Sequence, residues 1–136
     1  MLLLFCHEGD IMLNLIQINN IKNNEKVIFA TADKSGQPRC VLVIPSRVME
    51  NQIILSNIQM NKSMLNIMEN SKCFINVHME DKEDLQYKIE GIAKVYDSGE
   101  LFEEIKRFEE IENLPPELKV NSIIVVNITS FEESNG

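Results

Sequence analysis

Glycine is scarce in this chain, with five in 136 residues, at positions 9, 36, 91, 99 and 136. That spacing cannot build a G-x-G-x-x-G turn or a G-x-x-x-x-G-K-[ST] loop, so both glycine-rich nucleotide cradles are excluded. Histidine occurs only twice, too few for a histidine-based metal centre, and there is no serine nucleophile elbow. The three cysteines, Cys6, Cys40 and Cys73, are odd in number and contain no close pair, which argues against a disulfide framework. No apolar run approaches the roughly 20 residues of a membrane-spanning helix. Met1–Cys6 is apolar but too short for a signal-peptide core, and it has no basic residue before it. Positive charge is also short: the net charge is -8, and Arg39, Arg47 and Arg107 are the only arginines. Nucleic acid and anionic membrane both demand a positive field, so both are poor partners.

The composition that remains, 44% hydrophobic over 136 residues, suits a single compact domain. Residues 1–11 read as a leader, either an upstream start before Met12 or a strap on a partner. Residues 12–133 read as the domain and 134–136 as a frayed tail. The protein is read as cytoplasmic. After Met12 an amphipathic helix carries Leu13, Ile16, Ile18 and Ile21. Val27–Asp33 and Pro38–Ser46 flank a turn punctuated by Asp33 and Gly36, a connection too short for a parallel crossover, so these strands are antiparallel. Ser98–Asn113 carries Leu101, Phe102, Ile105, Phe108 and Ile111 on one helical stripe, with Glu100, Glu103 and Glu104 in its early turns. A solvated face explains those carboxylates better than a metal does. Gly91 inside a strand marks a bulge or a close backbone approach.

Several strands are apolar at consecutive positions: Val27–Ala32, Cys40–Ile44, Ile53–Leu55 and Ile123–Val126. A one-layer antiparallel sheet wets one face, so these runs predict that both faces are covered. A barrel interior covers one. Helices, a partner subunit or a flat apolar ligand must cover the other. On the strand from Cys73 to Glu80, Cys73 and His78 point to opposite faces and cannot chelate one metal as neighbours. Buried thiols then pack as small hydrophobes, and neither histidine receives a role.

The segment Ile53–Asn70 runs from an apolar strand into a helix with Met60, Met64, Ile67 and Met68 on one face. Lys62 and Ser63 sit in its first turn, where unpaired N–H groups and the helix dipole favour an anion. A lysine there does not help the isolated helix, which makes it a candidate phosphate ligand; a solvated surface lysine is the alternative. Arg39 could add a planar fork to the same phosphate, with a plain surface charge again the alternative. Acid, base and nucleophile equipment is so sparse that no catalytic residue or metal ligand is assigned. Such a chain either binds without reacting or borrows its chemistry from a cofactor.

The ordered set Ala30-Thr-Ala-Asp-x-x-Gly-x-Pro-Arg39, the run Arg39-x-Val-Leu, Ser56-Asn57, and Lys62-Ser63 with Asn66 and Asn70 resembles the FMN-binding split-barrel family, typified by pyridoxamine 5'-phosphate oxidase. Tyr87–Tyr96 and Ser98-Gly-Glu-Leu-Phe102 extend the likeness, which covers residues 14–132. The resemblance implies a mainly β fold, a six-stranded antiparallel split barrel with flanking helices, assembled as a homodimer with FMN at the subunit interface. It also implies that Arg39, Val41, Leu42, Val43 and Ile44 line the flavin. Ser56 and Asn57 would reach the ring or ribityl hydroxyls, and Asn61, Lys62 and Ser63 would hold the phosphate. Three departures point away from pyridoxamine phosphate oxidation. Asn61 replaces a basic residue, Ile44 replaces a substrate-binding lysine, and the arginine-rich C-terminal segment is absent after Phe131. The expected function is an FMN-dependent oxidoreductase passing electrons to a small-molecule acceptor such as a nitro compound or a quinone. NAD(P)H or a protein partner would be the electron donor. A non-catalytic FMN-binding or storage protein is one rival, and a haem-binding split-barrel protein with an axial ligand such as His78 is another.

Overall fold

Asp33 organises the first hairpin. Its carboxylate accepts the backbone N–H groups of Ser35 and Gln37, each at 2.9 Å, and the Ser35 hydroxyl at 2.7 Å. The Ser35 hydroxyl, followed by the Gln37 N–H, holds the Asp33 carboxyl below its ordinary value. Gly36 takes a left-handed φ of +89° that a side chain would resist. On either side of this turn β1 (Val27–Ala32) and β2 (Pro38–Val43) pair antiparallel, from Val27 opposite Val43 to Ala32 opposite Pro38.

The computed structural model describes residues 11–24, 26–58, 60–79, 82, 84–112, 115 and 118–135. The remaining elements are α1 (Leu15–Lys22), β3 (Pro45–Val48), β4 (Gln52–Asn57), α2 (Asn61–Glu69), β5 (Lys72–Met79), β6 (Leu85–Tyr96), α3 (Glu100–Glu112) and β7 (Ser122–Asn135). Among the described residues the strands form one antiparallel sheet in the order β2-β1-β5-β6-β7-β4-β3. It has seven strands where six were expected, because the second strand divides at Ile44. Its first part pairs with β1 and its second with β4, with a register shift between Pro45 and Arg47. Both edge strands begin with proline, which has no N–H to contribute to a ladder and is tolerated at strand starts on sheet edges. The two edges are consecutive in the chain, so the sheet curls until they meet at Ile44.

Curling creates an interior. Phe29, Ile53, Leu55, Ile75, Val77, Ile89, Ile124 and Val126 are fully buried in one cluster. The intervening residues of β4 and β7, Ile54, Ile123 and Val125, form a second cluster with Phe102 and Ile105 of α3 and with Val120. The consecutive apolar runs of β4 and β7 are thus covered on both faces, the outer one by α3. Each such side chain contributes on the order of 2 kcal/mol. The outer face of β1 and β2 behaves otherwise: Leu42 is 66% exposed and Ile44 64%, and Ile28 is also open. The expected second cover for these two strands is therefore not supplied by the described residues.

The helices correct two expectations. Ile16 is exposed while Ile18 and Ile21 are buried, because two residues along a helix turn about 200° and cannot share a face. Leu13, just outside the helix, is buried and donates its N–H to the Glu50 carbonyl at 2.6 Å. The helix is instead started by a capping box between Asn14 and Gln17 and pinned by a buried bond from Asn20 Nδ2 to the Tyr87 hydroxyl at 2.8 Å. In α2, Ile67 is buried against the interior with Met60 at the cap, whereas Met68 stands exposed at the margin of the stripe. The expected tail begins too early: β7 continues to Asn135, opposite Leu85. Phe131 of that extension packs on Tyr87, ring centroids 5.0 Å apart. Leader residues 1–10, including Cys6 and His7, lie outside the described residues.

Gly91 sits at a bulge between Glu90 and the rest of β6, where the pairing with β7 slips by one residue. A Cβ there would stand 2.5 Å from Val126 Cγ1 and 2.8 Å from the Asn127 carbonyl oxygen, and the backbone oxygen has little freedom to yield. Gly91→Ala is expected to destabilise the fold by about 1–3 kcal/mol, read as a lower urea midpoint with an unchanged slope.

Candidate functional site

The bend that ends β2 also opens a groove. Val41 to Ser46, Ser56, Ile58 and Met60, and Phe108 and Leu118 from further along the chain line it, around a volume of about 690 Å³. The lining is mostly apolar because β2 alternates half-buried Val41 and Val43 with exposed Leu42 and Ile44. The Ser46 and Ser56 hydroxyls in this lining approach to 2.5 Å. Lys26 and Glu109 contribute charge to the lining.

A second groove of about 790 Å³ runs along α2 and the end of β6. Asn57, Asn61, Met64, Lys94, Tyr96 and Ser122 are among the residues lining it. Alternation at the end of β4 puts Ser56 on the first groove and Asn57 on the second; at the start of α2, Met60 lines the first and Asn61 the second. The residues Val41, Leu42, Val43, Ile44 and Ser56 therefore share the first groove. Asn57 and Asn61 stand in the second, and Arg39, Lys62 and Ser63 line neither.

The start of α2 lies between them. Its first intrahelical bond runs from the Met64 N–H to the Met60 carbonyl at 2.9 Å, so the helix itself gives the N–H groups of Asn61, Lys62 and Ser63 no partner. Met60, at the cap, provides no side-chain bond. Asn61 and Lys62 are exposed, and Lys62 pairs with no carboxylate among the described residues. Ser63 is fully buried and its hydroxyl has no hydrogen-bond partner, as has the buried Nε of Arg39. Two residues expected to touch a phosphate are thus the two that, among the described residues, have buried side-chain polar atoms without a partner, a costly arrangement that a ligand or water would relieve. Arg47 is committed elsewhere, 3.4 Å from Glu104 of α3.

Phe108 and Leu118 were not singled out as site residues. Phe108 belongs to the apolar stripe of α3, but nothing local distinguishes its half-exposed position in the groove from the buried Phe102 and Ile105. Among the described residues no group of three His, Cys, Asp or Glu side chains could hold a metal ion. His78 is exposed, 3.3 Å from Asp84, and lines neither groove. Cys73 faces the core, opposite to His78, and donates to the Gly91 carbonyl at 3.6 Å. Cys40, by contrast, is exposed on β2. No described helix is long and apolar enough to cross a membrane.

A family profile described as pyridoxamine 5'-phosphate oxidase matches residues 17–135. No curated protein sequence matches significantly. Among solved structures, tagged HupZ of Group A Streptococcus is similar with a TM-score of 0.78 at 18% identity, over 91% of this chain and 96% of that one. An FMN-binding protein of Syntrophomonas wolfei follows at 0.67 and 15%, over 85% and 84%. HutZ, a heme storage protein of Vibrio cholerae, is similar at 0.59 and 14%, over 86% and 89%.

Burial pushes the Cys73 thiol up to about 12, so almost none of it is thiolate at pH 8. Iodoacetamide at pH 8 is expected to leave Cys73 unmodified in the native protein and to label it fully in urea, as mapped by peptide mass spectrometry.

Proposed function

Because the chain belongs to the pyridoxamine 5'-phosphate oxidase family, we propose that it is an FMN-dependent oxidoreductase that works as a homodimer. The observation that carries this reading is an apolar groove along β2 that reaches Met60 at the start of α2, where the N–H groups of Asn61, Lys62 and Ser63 have no intrahelical partner, Lys62 is exposed and the buried Ser63 hydroxyl is unpartnered. The residues present fit the cofactor. Val41, Leu42, Val43 and Ile44 offer a wall for a flat ring, and Ser56 offers a hydroxyl for the ribityl chain. Asn61, Lys62, Ser63 and Arg39 offer donors for the phosphate, Lys62 as a point charge and Arg39 as a planar fork. When bound, FMN supplies hydride or electron transfer, and the protein supplies grip, orientation and electrostatics.

The exposed apolar face of β1 and β2 supports the homodimer. Ile28, Leu42 and Ile44 project from neighbouring strands, and a second copy laid on them would remove that surface from water. Neutral Ile44 and Asn61, where the oxidase carries basic residues, support a small uncharged acceptor rather than a phosphorylated pyridoxal compound. NAD(P)H or a redox protein is the proposed donor. Haem binding is the second reading, supported by the likeness to HutZ and by the exposed imidazole of His78. The likeness to the Syntrophomonas wolfei protein, and the position of His78 outside both grooves, favour flavin.

Adding FMN to the purified chain is expected to perturb the flavin's visible spectrum on binding. Lys62→Ala should weaken that binding by about 1.5–3 kcal/mol, the loss of one charge-assisted contact, with an unchanged far-ultraviolet circular dichroism spectrum. No spectral response to FMN, or a Soret band with added haem that is lost in His78→Ala, would overturn the flavin reading. Bound flavin that neither NAD(P)H nor dithionite-reduced ferredoxin reduces would leave a storage protein. For the assembly, light scattering should give a dimer for the wild type and a monomer for Leu42→Asp, which places a charge on the open face.

A further inference from the structure

Asn57 ends β4 three residues before the cap of α2. We propose that it is the positioning residue of the phosphate grip, acting on the anion through the start of α2 rather than touching the ligand. This rests on the flavin reading above. The side chain is completely buried, and its polar atoms are spent inside the protein. Oδ1 accepts the Met60 N–H at 2.7 Å, while Nδ2 donates to Ser122 Oγ at 3.0 Å and reaches Met64 Sδ at 3.6 Å. Ser122 Oγ in turn donates to the same sulfur at 3.7 Å. The Asn57 carbonyl also accepts the Asn121 N–H at 2.9 Å. One amide therefore ties β4, β7 and the first turn of α2 together.

Which N–H group Asn57 takes matters as much as the tie. A helix start leaves four N–H groups without intrahelical partners, here those of Met60, Asn61, Lys62 and Ser63. A serine, aspartate or asparagine at the cap position would bond to the second or third helical N–H, the donors an anion needs. Met60 cannot do this, and Asn57 satisfies the N–H of Met60 alone. The start of α2 is thereby anchored while the N–H groups of Asn61, Lys62 and Ser63 stay available. An independent sign of a ligand lies in the same turn: the Ser63 hydroxyl is fully buried and unpartnered.

Riboflavin has the ring and ribityl chain of FMN without the phosphate, so the ratio of the two affinities reads the grip separately from the fold. Titrating both into the full-length chain, the wild type should prefer FMN. Asn57→Ala should lose about tenfold in FMN affinity while riboflavin affinity stays within about twofold. Ser122→Ala removes the acceptor of Nδ2 but leaves the bond to Met60, and it should reduce the same ratio by a smaller factor. It carries the test if Asn57→Ala does not fold. A ratio unchanged in the folded variants, or equal losses for both ligands, would overturn the positioning role while leaving flavin binding intact. A wild type that binds riboflavin as tightly as FMN would instead overturn the phosphate grip itself, and this inference with it.

Discussion

The structure depends on one change of partner, at Ile44. Up to Val43 the strand hydrogen-bonds to β1, and from Pro45 onward it bonds to β4, although these lie toward opposite ends of the seven-strand order. A chain that supplies both edges of a sheet with one residue between them can satisfy its ladders only if the sheet curls on itself. The interior cluster, the groove beside β2 and the exposed apolar face all follow from that geometry. Proline at the start of each edge strand is compatible with it, because an edge position does not require an N–H on its open side.

Coverage of the sheet is uneven, and the unevenness carries functional content. Over β4 and β7, α3 buries the outer residues Ile54, Ile123 and Val125, so consecutive apolar residues there are all accounted for within the chain. Over β1 and β2 no described helix does this, and Leu42 and Ile44 are exposed among the described residues. The same strand thus presents a groove wall and an apolar surface, the combination expected where a subunit interface and a flat ligand share one element.

At α2, helix stability and the proposed anion grip would draw on the same donors. A conventional cap would stabilise the helix by about 1 kcal/mol but would occupy an N–H group that an anion could use. Anchoring through Asn57 separates the two demands. The cost appears as a buried Ser63 hydroxyl without a partner and a lysine at the unfavourable end of a helix dipole. Both features oppose the fold of the isolated chain, and both would be relieved by the anion of the proposed flavin.

Short-range physics was legible in the amino-acid order. Asp33 and Gly36 determine a tight turn, the flanking alternation determines an antiparallel hairpin, and the interrupted strand at Gly91 reports a close approach that proved to be Val126 and Asn127. The ordered family residues were enough to indicate the fold class and to collect Val41, Leu42, Val43, Ile44 and Ser56 on one groove. Tertiary packing alone decided that Asn57 is buried with its amide bonded inside the protein, that Met68 and Ile16 point to solvent, and that Phe108 reaches the groove from a helix more than fifty residues away. The division has a physical cause. Turns and alternation arise from contacts a few residues apart, whereas the fate of a side chain is settled by partners such as Ser122, brought to Asn57 from 65 residues along the chain by the closure of the sheet.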